Sequence, residues 1–227
     1  MIIVGSIIVL AIFVVTGWAI FTEMFQQRHW RRRVEQGDVG IVAALIQEAL
    51  ETWRRARPPR GTPASLWAGV QGAELVAVTK DSATVSSAAE GEFRTEGGKR
   101  VQITSALEEA QALATRLADM MLYDVPNLRL GQVRVDVYST FTGSDGSPVQ
   151  QPILSTTAER AVADTLAWEA LTPEELLARF DTRFERSTSG QALPIPLDPV
   201  EGDPPPRSAQ PAPDGHSEAR ERPGGLA

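Results

Sequence analysis

The first 22 residues, MIIVGSIIVLAIFVVTGWAIFT, carry no charged side chain. At about 1.5 Å rise per residue, a helix of that length spans the hydrocarbon core of a bilayer, which is about 30 Å thick. Ile and Val are indifferent helix formers in water, but in lipid the backbone has no other hydrogen-bond partner and the helix is forced. No ionisable group interrupts the run, which argues against an ion or proton relay within it. A cleaved signal peptide would need a basic start, a shorter apolar core and small residues at a cleavage site. No basic residue precedes this run, and Phe21-Thr22-Glu23-Met24 offers no small-x-small site. Segment 1–25 is therefore expected to be a single, uncleaved transmembrane helix.

Its flank sets the orientation. Arg28, Arg31, Arg32 and Arg33 follow the span, and nothing basic precedes it. The positive-inside rule then puts the N-terminus outside and the C-terminal domain on the cytoplasmic side of a cell membrane. Trp18 and Trp30 lie toward the same end as an aromatic belt. The membrane interface is assigned to Trp18, Arg28, Trp30, Arg31, Arg32 and Arg33, and the lipid bilayer is the first expected partner.

Beyond the collar the charge reverses. Residues 1–60 hold 8 basic and 5 acidic side chains, residues 61–186 hold 11 and 18, and residues 187–227 hold 3 and 6. An acidic body lacks the basic stripe that a nucleic-acid face needs, so no nucleic-acid partner is expected.

Asp38 reads as an N-cap in front of Val42, Leu45, Ile46, Ala49, Leu50 and Trp53, which recur at helical spacing to about residue 56. Residues 26–60 thus read as the basic juxtamembrane collar and an amphipathic helix. Docking of that helix on the domain core is the first reading, and docking on the membrane surface the second. A Gly/Pro linker at about 58–64 leads into a domain at 61–186. Residues 74–79 and 100–104 read as strands, and 83–86 with 90–94 as one strand interrupted by small residues or as two, with a hairpin turn at Glu96-Gly97-Gly98-Lys99. Ser105 with Glu108 forms a capping box for a helix over 106–122. Val133, Val135, Val137 and Phe141 alternate with Gln132, Arg134, Asp136 and Tyr138, as in an antiparallel strand with one wet face.

Residues 149–154 return, and Pro148 and Pro152 mark that return as an edge or irregular strand. Thr156 with Glu159 reads as a second capping box opening a helix to about Ala170. Thr172-Pro173-Glu174-Glu175 reads as the start of a last helix carrying Leu176, Leu177, Phe180 and Phe184. Strands grouped between helices predict an α+β domain with a mainly antiparallel sheet packed by helices. The tail, 187–227, holds nine prolines and five glycines among 41 residues, and is expected to be a disordered Pro/Gly-rich segment.

The chemistry left open is narrow. There is no cysteine, which excludes disulfides, thiolate metal sites and a cysteine nucleophile. The two histidines, His29 and His216, fall outside the expected domain. Neither a phosphate loop nor a G-x-S-x-G elbow occurs. No catalytic residue, cofactor or metal is assigned. Arg134, Asp136 and Tyr138 share the wet strand face and form a speculative polar site, an ordinary exposed ion pair being the plainer account.

The element order over about residues 39–141 resembles the core of PD-(D/E)xK nucleases, which hold Mg²⁺ with acids on adjacent strands and polarise water beside a lysine. The resemblance implies Asp81, Glu90 and Glu92 as candidate acids, with Glu92-Phe93-Arg94 standing where the family has acid-x-lysine. The preferred expectation is a membrane-anchored, non-enzymatic scaffold, assembly factor or accessory subunit with a protein partner in a membrane complex. A membrane-tethered, carboxylate/Mg-dependent enzyme and a ligand-sensing module are the alternatives.

Overall fold

A computed structural model describes residues 38–205. The expected span at 1–25, the arginine collar and residues 206–227 lie outside the described residues. Among the described residues no helix is long and apolar enough to cross a membrane.

Helix α1 (Val39–Arg55) begins at Asp38, whose Oδ1 accepts from the Gly40 N–H at 3.0 Å. Val42, Ile46, Leu50 and Trp53 form its inner stripe, and all four are buried in the domain core. Arg54 and Arg55 close its last turn, where the helix dipole favours cations. Residues 58–64 read as a linker, but the chain re-enters a helix at Ala64. That helix, α2 (Ala64–Gln71), has eight residues, too few for apolar periodicity to register. It lies so close to its neighbours that a Cβ on Gly69 would stand 2.6 Å from a Leu113 methyl and 3.3 Å from the Ala88 carbonyl. The Ser87 hydroxyl donates to the Gly69 carbonyl at 2.6 Å and fixes that approach.

The strands follow in chain order: β1 (Glu74–Val78), β2 (Ser82–Ala88), β3 (Glu92–Glu96), β4 (Lys99–Thr104), β5 (Gln132–Thr142), β6 (Pro148–Glu159), β7 (Asp181–Arg186) and β8 (Ala192–Leu193). Six of them make one sheet in the order β1-β2-β5-β6-β7-β8, while β3 and β4 pair only with each other. Every neighbouring pair is antiparallel except β2 with β5. A parallel pair needs a crossover, and helix α3 (Ala106–Asp119) supplies it. Ser105 and Glu108 close the capping box at its start, with bonds of 3.1 and 2.8 Å.

Leu107, Ala110, Leu113, Ala114 and Leu117 of α3 are buried, and the helix packs over β5 and β6. Its last turn loosens into a π-helical turn, Met120–Asp124, with Met120 and Met121 in the core. Arg160 holds that turn, donating to the carbonyls of Leu122 and Leu130.

Four local expectations fail for identifiable reasons. First, β6 is irregular at Pro152, as one of the two readings has it, but it is no edge strand: it pairs with β5 along its length and with β7 at Leu154–Thr157. Pro148 and Pro152 are tolerated because they lie outside the β7-paired stretch, and Pro152 sits at a register shift. Second, Thr156 caps no helix. It lies inside β6, fully buried, with its hydroxyl 2.7 Å from that of Thr182, and only the single turn α4 (Arg160–Ala163) follows. A Thr-x-x-Glu spacing cannot separate a cap from a β-branched strand.

Third, the last helix, α5 (Pro173–Leu177), has the expected cap at Thr172 and Glu175 but stops after five residues. Phe184 belongs to β7. Fourth, residues 187–205 are not a disordered tail. β8 pairs with β7, the buried Ile195 donates its N–H to the Pro152 carbonyl at 2.9 Å, and Val78 and Asp203 exchange two backbone bonds of 3.0 Å.

Candidate functional site

Cross-strand register places the wet-face residues in rows. Ser86, Asp136, Ser155 and Arg183 lie opposite one another on β2, β5, β6 and β7, and Thr84, Arg134, Thr157 and Asp181 form the next row. Arg134 Nε donates to Asp136 Oδ1 at 2.9 Å, and the Ser155 hydroxyl donates to the same oxygen at 2.6 Å. The pair is not the exposed one expected: the Asp136 side chain is 3% exposed and that of Arg134 15%.

The cover is residues 194–205, the proline-rich strap. Asp198 takes a two-pronged ion pair from Arg183, at 3.2 and 2.9 Å, and its carbonyl accepts from Arg134 Nη2 at 3.1 Å. The strap then reaches Val78 on β1 through Asp203. Proline lacks an N–H but retains its carbonyl, so a chain that crosses strands rather than pairing along them loses little by carrying it. Asp198 is held below the usual aspartate range, first by the hydrogen bonds from Arg183 and then by its charge. Tyr138, on the same face, is pushed above the usual phenol range by burial and then by the Asp136 charge.

Arg134, Asp136 and Tyr138 are thus brought together, but beneath a strap that forms part of the fold. Sequence reasoning missed Ser155, Arg183 and Asp198, and the separation of 64 residues between Arg134 and Asp198 leaves no local signal. Trp18, Arg28, Trp30, Arg31, Arg32 and Arg33 lie outside the described residues.

The candidate acids of the nuclease resemblance are not gathered. Asp81, in the β1–β2 turn, binds the Gly131 N–H before β5, whereas Glu90 binds the Thr140 N–H near its far end, and Glu92 lies on the separate hairpin. Among the described residues no three His, Cys, Asp or Glu side chains are placed to hold a metal.

The hairpin β3–β4 contrasts with the strapped face. Every residue of β3 is exposed, and no further strand joins either edge among the described residues. Gly97 and Gly98 turn it with φ of 57° and 78°, a region open to glycine at little cost. Of the eight exposed large hydrophobic residues in the described part, Phe93, Val101 and Ile103 stand on this short arm. No family model matches the chain, and neither a curated protein nor a solved structure matches it.

Proposed function

We propose that the chain is a membrane-anchored, non-enzymatic interaction module, serving as scaffold, assembly factor or accessory subunit, whose β3–β4 arm makes the contact with a protein partner in the membrane complex. The observation that carries this reading is the arm itself. It concentrates exposed Phe93, Val101 and Ile103 on a ribbon whose two edges are open among the described residues, where a partner strand can add by main-chain hydrogen bonds. The charge-free run at 1–22 and its arginines support an anchor that tethers the domain at the bilayer surface, N-terminus outside.

Two arms of one experiment test it. A photo-crosslinking residue replacing Val101 in the full chain, activated in native membranes, should give a discrete protein adduct. The same probe at the exposed Glu169 should not. Deleting residues 1–27 should move the chain from the membrane pellet to the supernatant with its circular dichroism unchanged. Adducts at both positions or at neither would defeat the interaction reading, and a truncated chain still in the pellet would defeat the anchor.

A further inference from the structure

We infer that the cavity between α2, the end of β2 and the start of α3 binds a primary ammonium group carried on a short alkyl stem. This goes beyond the arm contact and stands or falls independently of it. The cavity holds about 300 Å³, the size of a small-ligand site.

Glu109, in the first turn of α3, lines the cavity and is 8% exposed. Its carboxylate has no hydrogen-bond or ion-pair partner among the described residues. The Ser65 hydroxyl lines the same space, is buried, and likewise makes no hydrogen bond. A buried hydroxyl without a match, beside a largely buried carboxylate that no cation pairs among the described residues, marks a place where a ligand supplies the missing partners.

The chemistry of the lining selects the ligand. Glu90 also lines the cavity, with its oxygens held by Ser139 Oγ at 3.2 Å and the Thr140 N–H at 2.9 Å. No lysine or arginine lines it, so two carboxylates face the space without a cation. A positive guest is called for. An ammonium brings three N–H donors on one positive centre, which the Glu109 carboxylate and the Ser65 oxygen can accept. A hard divalent ion takes six or more oxygen ligands, and no group of three acids, histidines or cysteines is assembled here. Apart from Ser87, whose hydroxyl is spent on the Gly69 carbonyl, the remaining side chains, among them Leu66, Leu113 and Ala89, are apolar and suit an alkyl stem. The same chemistry is offered by a free alkylamine and by a lysine side chain.

Titration calorimetry on the full chain in detergent tests this with butylammonium and with Nα-acetyl-lysine amide, the heat from empty micelles being subtracted. At least one of the two should bind saturably, and which one does identifies the source. Butanol should bind about tenfold more weakly or worse, because it offers no charge to Glu109. Glu109→Gln should weaken the ammonium about tenfold, and Ser65→Ala by less. If Glu109→Gln does not fold, the contrast between butylammonium and butanol on the unaltered chain decides alone. Failure of both ammonium probes to bind up to about 10 mM, or butanol binding as tightly as butylammonium, overturns the assignment.

Discussion

On one face of the sheet, Val133, Val135 and Val137 of β5 are fully buried and α3 lies across them. On the other, Arg134, Asp136 and Tyr138 of the same strand sit under the strap at 194–205. Alternate residues of one strand are thus closed over by opposite means. The helix face is held by non-directional burial, where any well-fitting apolar side chain serves. The strap face is held by a few directional bonds, each needing its named partner. The first should therefore fail by cavities, and the second by charge and pH.

The largest effect should come from the helix face. Leu117 is fully buried, and Leu117→Ala should cost about 2–5 kcal/mol in urea unfolding, with little dependence on salt. A cost below about 1 kcal/mol would mean that α3 is not packed as described.

Next comes the buried pair. Asp136→Ala strands the Arg134 guanidinium and the Ser155 hydroxyl and should cost about 2–3 kcal/mol. Replacing both partners, Arg134→Met with Asp136→Leu, should recover most of that loss, because no lone charge remains. Simple addition of the two single losses would show that the residues do not act as a pair.

The two tyrosines, Tyr138 on the strap face and Tyr123 in the π-helical turn, can be followed separately by ultraviolet titration. Tyr123 donates to Asp164 at 2.8 Å, and burial followed by that bond pushes its phenol up to about 12. Tyr138 is raised by burial and by Asp136. Asp136→Asn should lower the Tyr138 midpoint and leave that of Tyr123 in place. Movement of both together would erase the distinction between the environments.

The smallest effect is the strap's own response to pH. Asp198 titrates below its ordinary value of 3.8 in the folded chain. Its contribution is therefore whole above that value and is lost as pH falls through the lowered one. Amide exchange at Asp203, which donates to the Val78 carbonyl, should quicken over that window while the α3 amides stay slow. Exchange independent of pH there, after correction for intrinsic rates, would free the strap from the Arg183–Asp198 pair.

The helix face was the legible one. Alternation at Val133, Val135 and Val137, the Asp38 cap and the Ser105–Glu108 box are local patterns, and the structure has all of them. The strap face was not. Composition marks residues 187–205 as unable to bury apolar surface, yet Ile195 is buried, and Ile195, Asp198 and Asp203 order the segment through bonds to distant strands. Helix α2 was too short to register, and with it went the cavity at Ser65 and Glu109. Thr156 and Phe184 show the remaining limit: capping and periodicity signals a few residues long fit a strand as well as a helix.

Where the helix and the strap close over β5, the β3–β4 arm keeps Phe93, Val101 and Ile103 exposed, and it is the surface proposed for a partner. Hydrogen–deuterium exchange of the full chain, compared between native membranes and purified detergent, tests that directly. The expected result is slower exchange across residues 92–104 in native membranes only, with α3 and the strap the same in both. Equal exchange of the arm in the two settings, or protection appearing on the strap instead, would contradict it.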